Sequence, residues 1–141
     1  MTTGGCIGRR LLLCLASLLA LWHGAAAADR TDIPFKIDEA TAQRLASEGH
    51  YGSDKQRDAF DYGPRIAPPF FGFDGVNADP YEGSFGFFAV NPWTGDVWDL
   101  WDCRRLSTPL LRKSQAEIRR RFSREERKQY ARLRRLKPEC M

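Results

Sequence analysis

Three observations predict an α+β fold. The run from Phe85 to Trp101 consists of two apolar, aromatic-rich stretches separated by a turn with Pro92 early and Gly95 late, the pattern of an antiparallel β-hairpin. Apolar residues recur at helical spacing before it, at Ala42, Leu45 and Ala46, and after it, from Leu111 to Leu133. The segment between the first helix and the hairpin keeps neither period. The expected architecture is a short N-terminal helix, a central antiparallel hairpin or small sheet, and a basic C-terminal helical region.

The chain opens with the pattern of a secretory signal peptide. Arg9 and Arg10 form a basic n-region, Leu11–Trp22 an apolar run, and Gly24-Ala25-Ala26-Ala27-Ala28 a small-residue cleavage tract. The apolar run is shorter than the ~20 residues of a spanning helix. Cys14 follows Leu13 inside that run, where lipidation would want a small residue. Residues 1–28 are therefore read as a signal peptide, leaving 113 residues, 29–141, as one small domain. Cys103 and Cys140 remain as an even pair in an export compartment that permits disulfides. Neither asparagine lies in a glycosylation sequon, which fits a periplasmic or extracellular bacterial protein.

In chain order, Asp29–Ile37 reads as an extended lead-in. Asp38 is placed to cap a helix over residues 38–48, with Gly49 ending it. Residues 50–84 hold Pro64, Pro68, Pro69 and Pro80 among many glycines and seven aromatic residues. This density of rings argues against disorder, so the segment is read as irregular but pinned, with a short strand at Phe70–Phe73. In the hairpin, Gly95 takes the position that needs positive φ. Pairing then sets Val90 opposite Val97, Phe88 opposite Asp99 and Gly86 opposite Trp101 on one face. Ala89 faces Trp98, and Phe87 faces Leu100, on the other. Both faces are apolar and need cover, one from the C-terminal helical region and one from the aromatic segment. Trp101 is expected to lie over Gly86.

Thr108-Pro109 is an N-cap followed by N1 proline, and Pro138 ends a helical region over 109–136. Ser123-Arg124-Glu125-Glu126 matches a capping box, so a second helix is expected to start there. The cysteines point the same way. A straight helix over 109–136 would be ~40 Å long, whereas the two flanking segments reach ~35 Å at most when extended. A Cys103–Cys140 disulfide therefore goes with a break near residues 122–123.

Charge is unevenly distributed. Residues 29–103 carry 14 acidic and 6 basic side chains, and residues 104–137 carry 14 basic and 3 acidic. In an exported protein, with no aromatic residues alternating with the basic ones, nucleic acid is not the expected partner. The basic tract has two readings: the arginines neutralise the acidic half of the same chain, or they face an anionic partner. The partner would be an acidic envelope protein or a membrane surface, and Arg119, Arg120 and Arg127 are the candidate contacts. Trp93, at the hairpin tip, is a further candidate if its indole is exposed.

Catalytic and metal signals are weak. His50 is the one histidine after residue 28, and two distant cysteines with one histidine do not form a zinc site. Strand alternation separates Asp99 from Asp96 and Asp102, so those carboxylates read as ion-pair partners or strand ends. Asp74, Asn77, Asp79 and Glu82 gather oxygen ligands on one loop, but not at EF-hand spacing, and Asx turns are the expected outcome. No cofactor, metal or catalytic residue is assigned.

Phe88-Ala89-Val90-Asn91-Pro92-Trp93-Thr94-Gly95-Asp96-Val97 resembles the strand–turn–strand of PepSY-type envelope domains. The resemblance implies a small α+β module that acts by binding or inhibition in the envelope, without catalytic residues. The expected function is thus that of an exported, non-enzymatic binding or structural protein. Its alternatives are a small envelope hydrolase using loop carboxylates and a binder of anionic surfaces.

Overall fold

The hairpin belongs to a five-stranded antiparallel sheet in which each strand pairs with the next in sequence. A computed structural model describes residues 32–63, 68–79 and 81–141. The expected signal peptide, residues 1–28, lies outside the described residues. The chain divides into two units, Met1–Asp32 and Ile33–Met141. The strands of the second unit are β1 (Phe60–Tyr62), β2 (Phe71–Val76), β3 (Ser84–Val90), β4 (Val97–Asp99) and β5 (Arg104–Arg105). Its helices are α1 (Glu39–Tyr51), α2 (Pro109–Arg120) and α3 (Arg124–Leu133), with one 3₁₀ turn over Arg57–Ala59. The fold class is α+β.

The β3–β4 register pairs Val90 with Val97, Ala89 with Trp98 and Phe88 with Asp99. It ends two pairs earlier than the sequence suggested, with a single further bond from Leu100 N–H to Phe87 O (2.9 Å). Asp99 Oδ1 accepts from the backbone N–H groups of Trp101 (3.0 Å) and Asp102 (3.4 Å), so the chain turns before Trp101 can pair with Gly86. The Trp101 ring instead meets Phe87 edge-on at 5.7 Å and stays half exposed. The ring over Gly86 is that of Phe88.

The segment 50–84 is more regular than its prolines imply, since it supplies β1 and β2. A bulge between β2 and β3 leaves Phe85 without a partner, because Gly75 pairs with Gly86 and Val76 with Ser84. The bulge turns the Phe85 ring over Gly75, where no Cβ could fit, and onto the α1 face of the sheet. There it stacks on His50 with centroids 4.9 Å apart.

The two faces of the sheet are covered differently from the expectation. α1 lies over one face, touching β1 to β4, and joins Phe60, Phe73, Phe88, Val90 and Val97 in the main core. The other face holds Phe70, Ala89, Trp98 and Leu100, with Leu136 from the tail after α3 packed against them. Met141 N–H donates to Leu100 O (3.2 Å), which docks that tail on the sheet. The reversal has a physical reason: α1 runs to Tyr51, past Gly49, and so spans the whole face. Gly49 does not end the helix. It is buried, and a Cβ there would meet Val97 and Leu106 at 3.3 and 3.4 Å, while Gly52 at φ +67° is the C-cap.

α2 is capped by Thr108, whose hydroxyl also donates to Glu48 O of α1 at 2.7 Å. It buries Leu111, Ser114 and Ile118. Phe122 and Ser123 separate α2 from α3, and Ser123 and Glu126 form both halves of a capping box. Phe122 and Leu133 complete the core. Cys103 and Cys140 are disulfide-bonded with Cα atoms 5.5 Å apart, closing a separation of 37 residues.

Gly95 (φ +69°) and Gly52 (φ +67°) share a backbone conformation but not surroundings. A Cβ on Gly95 would come within 2.6 Å of Ile118 Cδ1, and one on Gly52 would meet nothing within 4 Å. Gly52→Ala is therefore expected to cost about 1 kcal/mol, from backbone strain alone. Gly95→Ala should cost about 3 kcal/mol, from strain and overpacking together. Denaturant midpoints measure both, and equal losses would show that the contact with Ile118 contributes nothing.

Candidate arginine groove

The turn joining β3 and β4 is buried rather than exposed, and its polar groups are satisfied from inside the protein. Asn91 Oδ1 accepts from the N–H groups of Trp93 (3.0 Å) and Thr94 (3.1 Å), and Asn91 Nδ2 donates to Leu133 O at the end of α3 (2.9 Å). Trp93 is 5% exposed, its Nε1 donates to Ile33 O (2.7 Å), and its ring meets Phe35 edge-on at 5.1 Å. The expectation of an exposed indole is thus corrected. The N-terminal lead-in lies over the loop, with Lys36 N–H donating to Pro92 O (2.9 Å), and so removes Trp93 from solvent.

Asp96 ends this loop with its side chain 4% exposed. Thr94 Oγ1 donates to Oδ2 (2.9 Å) and Gln115 Nε2 to Oδ1 (3.4 Å). Two guanidinium groups approach the same Oδ2: Arg134 Nε at 3.4 Å and Arg105 Nη1 at 3.6 Å. One buried carboxylate therefore holds an arginine of β5 and an arginine just beyond α3 against each other, each still 40% or more exposed.

Outside this pair lies a groove of about 970 Å³ between β5 and α3. Six cations line it: Arg104, Arg105, Arg119, Arg134, Arg135 and Lys137. Trp98 and Tyr130 supply its aromatic surface, and Cys103 and Asp102 form one lip. A smaller cavity of about 300 Å³ adjoins it and shares Arg105, Arg119, Tyr130 and Arg134. Arg119 rests over the Tyr130 ring (5.1 Å) and Lys137 over the Trp98 ring (6.0 Å). Burial, followed by the charge of Asp96, pushes the Tyr130 phenol above its ordinary range.

The acidic half of the chain pairs three of these six cations. Asp96 takes Arg105 and Arg134, and exposed Asp102 takes Arg104 at 3.5 Å. Arg119, Arg135 and Lys137 have no carboxylate partner among the described residues. Of the expected contacts, Arg119 lies in the groove. Arg120 is exposed outside its lining, and Arg127 donates through Nε to Phe122 O (3.0 Å), closing the turn after α2. Arg104, Arg105, Arg134, Arg135, Lys137 and Tyr130 were missed as contacts. A signal for them existed: the Arg-Arg pairs at 104–105 and 134–135 flank the two bonded cysteines, which bring them together.

Among the described residues the remaining titratable groups serve local structure. Asp99 serves the turn after β4. Asp79 Oδ1 accepts from Tyr81 N–H (2.9 Å), and Asn77 Nδ2 donates to Gly83 O (3.1 Å), so the acidic loop is built on turn hydrogen bonds. Among the described residues no group of three or more His, Cys, Asp or Glu is placed to hold a metal ion. His50 stacks among Phe85, Tyr51 and Phe88 at the end of α1. Partial burial lowers its pKa, opposed by the Asp99 carboxylate and assisted by Arg104.

No family model matches the chain, and no curated protein matches it. A chain in the structure of a type VI secretion system effector–immunity complex from Pseudomonas protegens aligns with a TM-score of 0.46 and 23% identity, covering 69% of this chain and 88% of that one. Likeness at that level leaves function to be argued from this chain's own residues.

Asp96→Asn keeps the shape of the loop but removes the charge between Arg105 and Arg134. It should cost about 2 kcal/mol in urea unfolding, because both guanidinium groups are partly solvated. For His50, the folded state favours the neutral ring, so its contribution is complete above the unfolded value near 6.5 and is lost as pH falls through that value toward the lower folded one. Stability should therefore decline on acidification from neutral pH. His50→Gln should flatten the decline, and an unchanged slope would exclude His50 as its source.

Proposed function

We propose that this chain is an exported, non-enzymatic binding protein that takes an anionic partner in the groove between β5 and α3. The observation that carries the reading is the convergence of six cations on one concavity whose one lining carboxylate, Asp102, pairs with Arg104, while Arg119, Arg135 and Lys137 form no ion pair among the described residues. Guanidinium groups present planar, paired donors suited to carboxylates and phosphates. Tyr130 adds a hydroxyl donor and an apolar face beside them. The Cys103–Cys140 disulfide and the signal-like N-terminus support export to an oxidising compartment. The PepSY-type resemblance of residues 88–97 agrees with a binding role. A planar anionic membrane is the weaker candidate, because the cations line a concavity that a bilayer surface does not enter.

Calorimetric titration with poly-L-glutamate and with inorganic polyphosphate tests this. Binding should weaken with salt. The double variant Arg119→Gln/Arg135→Gln should lose about tenfold or more in affinity, the equivalent of ~1.4 kcal/mol, whereas Arg120→Gln should stay within about twofold. Equal losses from both variants would indicate diffuse attraction and remove the groove from the argument.

A further inference from the structure

Among the described residues the two outer strands of the sheet, β1 and β5, carry opposite charge. β1 carries Asp61, which pairs with Asp74 of β2, so two carboxylates stand side by side at that edge. β5 carries Arg104 and Arg105 at the other edge and forms one wall of the groove. The hydrogen-bond phase of β5 is set by Leu106 N–H, which donates to Val97 O at 2.8 Å. In an antiparallel ladder, bonded and non-bonded pairs alternate. Trp98 and Arg105 are therefore a non-bonded pair, and the main-chain N–H and C=O of Arg105 point away from β4, outward from the sheet edge that walls the groove. The opposite wall is formed by Tyr130, Ala131, Arg134 and Arg135.

We infer that the groove takes an extended, acidic segment of a partner polypeptide, which adds to β5 as a sixth strand. This rests on the groove being an anion site, and it specifies the anion. Main-chain bonds to Arg105 would fix the segment in register. Its alternate side chains would then fall toward the groove floor, where Arg105, Arg119 and Arg134 meet, while the intervening ones face Arg135 and solvent. One feature favours a polypeptide over a compact phosphate or a lipid headgroup: the groove has a strand edge as one wall, and that edge offers the main-chain donor and acceptor of Arg105 as well as charge. Charge complementarity also selects the edge, since the carboxylates at β1 would repel the same segment.

The test uses the full 29–141 chain with its disulfide intact, titrated with a peptide of alternating Glu and Thr about ten residues long. Inorganic polyphosphate and vesicles of anionic lipid are the comparison arms. Expected are saturable, salt-sensitive binding of the peptide and a slowing of hydrogen exchange at the Arg105 amide by about tenfold or more, read by NMR. Arg119→Gln/Arg135→Gln should weaken the peptide by about tenfold or more while leaving the unbound spectrum folded. Peptide binding without protection of Arg105, or binding of polyphosphate or vesicles in preference to the peptide, would overturn strand addition and leave the anion site standing. If none of the three binds, both readings fall.

Discussion

The structure depends on the burial of a polar turn. Asn91, Pro92, Trp93, Thr94, Gly95 and Asp96 are all buried, in a position where hairpin turns ordinarily meet water. Each main-chain group taken from solvent there needs an internal partner. Asn91 and Asp96 provide most of them. Asn91 N–H donates to Asp96 O (2.9 Å) and Gly95 N–H to Asn91 O (2.9 Å), closing the turn on itself. The side chains then reach outward: Asn91 to α3, and Asp96 to α2 through Gln115 and to Arg105 and Arg134. Trp93 reaches the N-terminal lead-in. Helices and lead-in assemble around the turn because it offers bonds that water no longer supplies. Leaving one such group unsatisfied costs about 1–3 kcal/mol.

The same constraint produces the groove. A carboxylate whose side chain is 4% exposed requires positive partners, and the two it obtains come from opposite walls. Once Arg105 and Arg134 are joined at Asp96, their neighbours Arg104 and Arg135 are brought along by the chain. The disulfide fixes the far end, between the turn after β4 and the tail that covers Trp98 and Leu100. The groove is in this sense a consequence of how the buried turn is neutralised.

How much of this was legible in sequence varied with the range of the interaction. The β3–β4 register followed from two apolar runs and one glycine, because strand pairing through a short turn is local. The caps at Asp38, Thr108 and Ser123 followed for the same reason, each being decided within four residues. Trp93 could not be placed, since what buries it is the lead-in some 60 residues away, through Ile33. Trp101 was misplaced because one local bond, from its own N–H to Asp99, overrode the alternation of the strand. β1 and the full β2 were hidden by prolines and glycines, whose strand assignment depends on the neighbours they pair with. The groove was half legible. Its charge was visible in composition, but its location needed the fold to bring residues 104–105, 119 and 134–137 together.

The remaining question is why cations should be gathered at all. Two unit charges about 7 Å apart in water-like surroundings repel by ~0.6 kcal/mol, and several such pairs meet in the groove. Salt reduces this, but it never turns the sum favourable. Folding alone would be served by dispersing the arginines or by placing acidic residues of the 29–103 region among them. That region places only Asp96 and Asp102 against them among the described residues, and keeps Asp54, Asp58, Asp61, Asp79 and Glu82 exposed and outside the groove lining. A buried carboxylate and a covalent cross-link hold together charges that would otherwise separate. Asp96 and Asp102 offset part of that repulsion at Arg105, Arg134 and Arg104, and the ring faces of Tyr130 and Trp98 meet Arg119 and Lys137, so the groove is held by contacts that neutralise only half of its cations.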